Sequence, residues 1–155
     1  GGLRRHYCQK EFESAGLDGN IAQSNLSTNI NKGTLRGFHY QKPPFEENKT
    51  ISCMTGSTFD VIVDLRQDSE SYLKWISINL SEGDNCSLYV PCGCANAFLT
   101  LEANTTVHYF MSEFYEPNSY IGFRYDDPKL NIAWPFLPAV ISEKDKNLPF
   151  LSSLS

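Results

Sequence analysis

The stretch Thr58 to Arg66 reads T-F-D-V-I-V-D-L-R and alternates with period two. Phe59, Val61, Val63 and Leu65 fall on one face, and Asp60, Ile62, Asp64 and Arg66 on the other. That is the pattern of a strand and not of a helix. One strand cannot hide its apolar face, so the chain must supply partners. Thr34–Gln41, Thr50–Met54, Leu73–Leu80, Ser87–Val90, Ala97–Leu101, Thr105–Ser112 and Ile121–Tyr125 have the β-branched and aromatic content of further strands. Thr55-Gly56, Glu82-Gly83-Asp84-Asn85, Pro91-Cys92-Gly93, Ala103-Asn104 and Pro117-Asn118-Ser119 supply the turns. Short strands at this spacing predict an all-β antiparallel sandwich or barrel. With 155 residues, of which 41% are hydrophobic and 20% charged, the expectation is a single domain over residues 1–155.

Helical character is confined to Tyr7–Ala15, where Tyr7, Cys8, Glu11 and Phe12 share a stripe and Gly16 is the expected C-cap. Gly19 to Gly33 is rich in Asn, Ser and Thr, which predicts an irregular or edge segment, either a polar loop or a binding surface. The tail from Asp126 to Ser155 carries Trp134-Pro135 and Leu137-Pro138. Prolines interrupt regular structure, so an irregular segment wrapped back over the barrel is expected there.

Several function classes fall away on charge and composition. The net charge is −5 with no basic stripe, which argues against nucleic acid as a partner. An acidic chain can still hold an anion if a few cations converge in one cleft. No apolar run reaches about eighteen residues and no signal peptide is visible, so no membrane association is expected. The chain opens at Gly1 with no initiating methionine. Five cysteines, Cys8, Cys53, Cys86, Cys92 and Cys94, are odd in number and irregular in spacing. A reduced, cytoplasmic protein with buried thiols accounts for them better than a disulfide framework.

The cations do converge in sequence. Lys32 to Lys49 reads K-G-T-L-R-G-F-H-Y-Q-K-P-P-F-E-E-N-K and holds Arg36, His39 and Lys49. Strict alternation would send Arg36 and His39 to opposite faces, whereas a bulge at Gly37 would shift the register. A strand histidine taken alone is more often a packed or surface residue than a catalyst. The three histidines, His6, His39 and His108, form no H-x-H pair, which leaves a metal-dependent β-barrel short of ligands. No G-x-S-x-G elbow, G-x-G-x-x-G turn or P-loop is present. What remains is acid–base chemistry: His39 as base, a carboxylate to orient it, a tyrosine as acid and a lysine as electrostatic support. The residues alone do not choose among the acids or the tyrosines.

Q-S-N-L-S-T-N, K-G-T-L-R-G-F-H-Y-Q, F-D-V-I-V-D-L-R, L-Y-V-P-C-G-C-A-N-A-F, Y-E-P, D-D-P-K-L-N-I-A-W-P and S-E-K-D follow one another along nearly the whole chain. In this order they resemble the dTDP-4-dehydrorhamnose 3,5-epimerase family of cupin-type jelly-roll barrels. The resemblance implies a cofactor-free epimerisation at C3 and/or C5 of a nucleotide-linked 4-keto-6-deoxy sugar, no metal, and a homodimer in the cytoplasm. It implies His39 as base, Asp145 as its orienting partner, Tyr109 as acid and Lys49 as support for the enolate oxygen. Arg36 would bind the diphosphate, and Gln23, Asn25, Asn96, Tyr115 and Tyr120 would line the substrate pocket. Three departures are visible. Asn96 stands where the family has a histidine, and Tyr120 where it has a glutamate. The family's leading D-x-R-G segment, expected to reach the partner subunit's nucleotide, has little counterpart before Gly2-Leu3-Arg4-Arg5. The first two leave open a rival expectation, a catalytically altered cupin that binds a sugar nucleotide without turning it over.

Overall fold

A computed structural model describes residues 1–154. Its strands are β1 (Gln23–Asn29), β2 (Thr34–Gln41), β3 (Lys49–Thr55), β4 (Ser57–Asp64), β5 (Trp75–Ser81), β6 (Leu88–Val90), β7 (Cys94–Thr100), β8 (Thr105–Met111), β9 (Tyr120–Gly122) and β10 (Val140–Ile141). Helical structure is limited to α1 (Gln9–Ser14), α2 (Glu143–Lys146) and a 3-10 turn at Leu151–Ser153. One sheet has the order β1-β8-β3-β6; the other runs β10-β2-β7-β4-β5, with β9 also paired to β2. Every pairing is antiparallel except the short β10–β2 contact. The all-β expectation therefore holds.

The two sheets face each other across Ile51, Cys53, Ile62, Leu80, Val90, Cys94, Phe98 and Val107. A second apolar cluster lies on the outer face of the larger sheet, where Phe38, Val61, Val63, Ala95 and Ala97 meet Phe123, Leu130, Trp134 and Leu151. Alternation in β4 decides the division: Ile62 points between the sheets while Val61 and Val63 point outward under the tail. Burying each such side chain stabilises the fold by roughly 1.5–3 kcal/mol.

Several boundaries differ from expectation for identifiable reasons. Leu73 has φ +60 and its N–H donates to the Asp64 carbonyl, so it belongs to the turn and β5 begins at Trp75. Leu65 and Arg66 leave β4 because the Asp64 carboxylate accepts from both the backbone N–H and the guanidinium of Arg66. The polar Gly19–Gly33 segment contains an edge strand, β1, whose alternate residues Gln23, Asn25 and Ser27 turn inward. The tail is less irregular than its prolines suggest, since it contributes β10 and α2. Helix α1 is shorter than Tyr7–Ala15, and Gly16 follows its C-cap Ala15 at φ +74. The Leu17 N–H then donates to the Phe12 carbonyl, which closes the helix end. The five cysteines are free; Cys53 and Cys94 are buried and Cys86 is exposed.

Candidate active site

Between the sheets lies a cavity of about 580 Å³. A bulge in β2 decides which of its side chains line it. Arg36 pairs with Phe98 and His39 with Asn96, so Gly37 and Phe38 oppose the single residue Ala97. Gly37 sits at φ +108, and a Cβ there would lie 2.5 Å from the Asn96 carbonyl oxygen. Only glycine fits. The extra residue brings Arg36 and His39 onto one face and turns Phe38 into the outer cluster.

Gln23 and Asn25 from β1, Arg36 and His39 from β2, Lys49 from β3, Asn96 from β7, Tyr109 from β8, Tyr120 from β9 and Tyr115 from the preceding loop all line this cavity. Asp145 alone does not; it stands behind His39, 5% exposed. Its Oδ1 lies 2.7 Å from His39 Nε2, and its Oδ2 accepts from the Gly37 N–H at 3.2 Å. A carboxylate only accepts, so Nε2 carries the proton and Nδ1 keeps a free lone pair. Burial pushes the Asp145 carboxyl up, but the hydrogen bond from His39, the charge that ring carries once it has taken a proton, the Gly37 N–H and Lys144 outweigh it and hold it below the ordinary carboxylate value. Ser142 caps α2, its hydroxyl accepting from the Asp145 N–H at 3.1 Å, and so fixes the carboxylate's approach.

Lys49 is buried, with its Nζ 3.1 Å from Glu47 Oε1 and donating to Asn96 Oδ1 at 3.2 Å. Tyr109 is partly buried, and desolvation pushes its phenol above the ordinary value while the Arg36 charge opposes that. Burial pushes the Tyr120 phenol much further up. The Tyr120 ring lies 5.0 Å from both the His39 and the Tyr115 rings, and the Lys49 and Lys144 ammonium groups approach it to 5.8 and 4.9 Å. Arg36 is exposed at the mouth, its Nε donating to Asn29 Oδ1 at 2.7 Å. Ile51, Phe98, Val107 and Met111 form the apolar wall. The site thus offers an oriented imidazole, a phenol, a buried ammonium and a guanidinium around one cavity.

The other two histidines are elsewhere. His6 Nε2 and His108 Nδ1 meet at 3.2 Å beside Phe110, and Ser24 bonds His108 from the next strand. Among the described residues no group of three or more His, Cys, Asp or Glu side chains is placed to hold a metal ion. Three supporting residues escape a reading of the sequence. Gln41 donates to the Phe45 and Phe114 carbonyls and accepts from the Glu116 N–H, pinning the loop that presents Tyr115. Gln23, already expected from the sequence, helps by taking the Tyr115 N–H on its Oε1. Glu47 and Asn29 grip Lys49 and Arg36. The position of Gln41 two after His39 is a signal for the first; nothing local singles out the other two.

A family model described as dTDP-4-dehydrorhamnose 3,5-epimerase matches residues 1–153. A dTDP-4-dehydrorhamnose 3,5-epimerase from Sinorhizobium fredii is 39% identical over 147 residues, which span 94% of this chain and 75% of the relative. The crystal structure of the Bacillus anthracis dTDP-4-dehydrorhamnose 3,5-epimerase with TDP and PPi bound gives a TM-score of 0.92 at 38% identity, covering 95% of this chain and 84% of that one. The dTDP-6-deoxy-D-glucose-3,5-epimerase of Legionella pneumophila, in complex with dTDP-4-keto-L-rhamnose, gives 0.90 at 32% identity, with 97% and 80% covered.

Proposed function

The chain belongs to the dTDP-4-dehydrorhamnose 3,5-epimerase family, and from that premise we propose how its own residues carry the reaction. The enzyme is an isomerase that inverts C3 and/or C5 of a nucleotide-linked 4-keto-6-deoxy sugar. The C4 ketone acidifies the protons on both neighbouring carbons, so the substrate supplies its own electron sink. His39 Nδ1 takes the proton, the C–H electrons form a carbon–carbon double bond, and the carbonyl electrons move onto O4. Lys49 steadies the resulting enolate oxygen. Tyr109 returns a proton to the opposite face of the carbon, which inverts it. Asp145 holds His39 in the proton-accepting tautomer, and Arg36 takes the diphosphate at the mouth. Gln23, Asn25, Asn96, Tyr115 and Tyr120 shape the space around the sugar.

The observation that supports this reading most is the 2.7 Å His39–Asp145 contact at a cavity also lined by Tyr109 and Lys49. The reading extends to one domain, a cytoplasmic location and a homodimer. Leu26 on the edge strand β1 is 68% exposed and nearby Ile30 72%, apolar surface that a second copy would cover; sedimentation giving a monomer at micromolar concentration would remove the dimer. For the chemistry, proton NMR of dTDP-4-keto-6-deoxyglucose with the protein in heavy water is the test. Loss of the C3 and C5 signals reports a double epimerase, and loss of one a single-centre enzyme. Binding of the nucleotide sugar without exchange at either carbon would overturn the epimerase reading for a binding protein.

A further inference from the structure

Lys49 and Glu47 form an ion pair whose side chains are 9% and 2% exposed. Glu47 is absent from the cavity lining, yet its carboxylate is spent unevenly: Oε1 meets Lys49, and Oε2 is buried with no hydrogen-bond partner. A buried, half-satisfied carboxylate is a cost to the fold. An apolar residue just before β3 would avoid that cost, so the charge asks for a role.

The surroundings of the Lys49 ammonium supply one. Asn96 Oδ1 is a neutral acceptor at 3.2 Å, and the Tyr120 ring a neutral face at 5.8 Å. The other ionisable groups lining the same cavity are Arg36, His39, Tyr109 and Tyr115. Lys144 from α2 stands 4.9 Å from the Tyr120 ring, and Asp145 is engaged by His39. Glu47 is thus the one anion in direct contact with Lys49 among the described residues. Without it, an amine stripped of water and facing an amide and a ring would shed its proton. Burial does drive the Lys49 amine below its ordinary value, and the Glu47 charge and hydrogen bond oppose that drive.

We propose that Glu47 is a positioning residue for the reaction, holding Lys49 as an ammonium and aiming it between Asn96 and Tyr120 at the place where enolate charge develops. The kinetic part of this inference rests on the epimerase reading; the electrostatic part does not. An uncharged amine at that place could donate a hydrogen bond but not neutralise an oxyanion, so turnover fails wherever Lys49 loses its proton.

The test reads the amine itself. The Lys49 ¹³Cε resonance, assigned by its absence in Lys49→Arg, is titrated in the wild type, Glu47→Gln and Glu47→Asp. The midpoint should fall by about one pH unit or more in Glu47→Gln, with Glu47→Asp between the two. The alkaline limb of the exchange rate should move down with it, a loss of about tenfold for each pH unit above the new midpoint. If Glu47→Gln does not fold, Glu47→Asp carries the test alone, and a midpoint coincident with the wild type overturns the proposal. An unmoved midpoint in Glu47→Gln overturns it as well. A shifted midpoint in a protein that exchanges no sugar proton upholds Glu47 and overturns the epimerase reading instead, so the two failures look different.

Discussion

On its outer face the six-stranded sheet meets the C-terminal tail through hydrocarbon and aromatic rings. Phe38 stacks on Phe123 at 4.7 Å, and Trp134 packs against Phe38, Phe59 and Tyr125. On the inner face the same strands present Asp60, Asn96 and His39 beside Ile62 and Phe98, and of these Asn96, His39 and Phe98 line the cavity. Adjacent residues of one strand serve the two sides: Ala95 and Ala97 outward, Asn96 and Phe98 inward. The outer face is closed by a continuous apolar cluster. The inner face keeps open space and buries charge, which costs stability and serves chemistry. The fold can carry such an interior because the tail supplies a second core behind it.

That division is open to attack, most forcefully at His39. His39→Ala should lower solvent exchange at the sugar carbons by about a hundredfold to ten-thousandfold, and because it takes from the buried Asp145 the partner of its Oδ1 it should also cost about 1–3 kcal/mol of stability. His39 lines the cavity and is absent from both apolar clusters, so its removal takes chemistry and little packing. Exchange that persists would take the base role away from His39. The mirror-image change is Trp134→Ala, which strips the outer face and deletes the indole donor to the Tyr125 carbonyl at 3.0 Å. Chemical denaturation should show a loss of about 3–5 kcal/mol, while the folded protein keeps its exchange rate. A matching fall in rate would mean that the two faces are coupled.

Asp60 sharpens the contrast through pH. Its carboxylate lies within the inner face, 1% exposed, with Oδ1 unpartnered and Oδ2 held by the Thr58 hydroxyl. Burial pushes its pKa up to about 7, against the lowering by Thr58. The folded state therefore holds the proton more tightly than the unfolded chain. Any stability contributed by protonated Asp60 is fully present below about pH 4 and is lost as pH rises through about 7. Above that, ionisation costs up to about 4 kcal/mol, and Asp60→Asn escapes it. The variant should gain on the wild type by a few kcal/mol at pH 8.5 and converge with it near pH 4, measured by urea denaturation at both. Parallel stability curves would show that Asp60 does not titrate in this range.

The legible parts of the molecule are those governed by local rules. Alternation in Thr58–Arg66 marks β4, and the glycine after Arg36 permits, without requiring, the bulge that brings Arg36 and His39 together. Strand β1 was harder to see because its inward residues Gln23, Asn25 and Ser27 are polar, so no hydrophobic period declares it. Only the family resemblance singles out Tyr109 and Asp145. Tyr109 is one of several tyrosines, and Asp145 reaches His39 across more than a hundred residues of chain. Glu47 and Asn29 escaped because their partners are set by tertiary packing. A carboxylate two residues before a lysine reads as solvent-exposed until the burial of both is known.

Asn29 offers the smallest effect and the finest separation of the two faces. Its side chain is buried, with Nδ2 donating to the Thr105 carbonyl at 3.2 Å and Oδ1 accepting from Arg36 Nε at 2.7 Å. Holding Nε leaves the two terminal nitrogens of the guanidinium fork for a ligand at the mouth. Asn29→Ala removes one hydrogen bond to a charged group, worth about 1.5–3 kcal/mol, part of which Arg36 recovers from water because it is exposed. Calorimetry with dTDP should therefore show affinity weakened by about threefold to tenfold, less than Arg36→Ala produces, with turnover at saturating substrate unchanged. Such a split places Asn29 with the binding machinery of the inner face. If the melting temperature falls and dTDP affinity does not, Asn29 belongs to the strand pairing of β1 with β8, and the inner face is less devoted to ligand than its polar lining suggests.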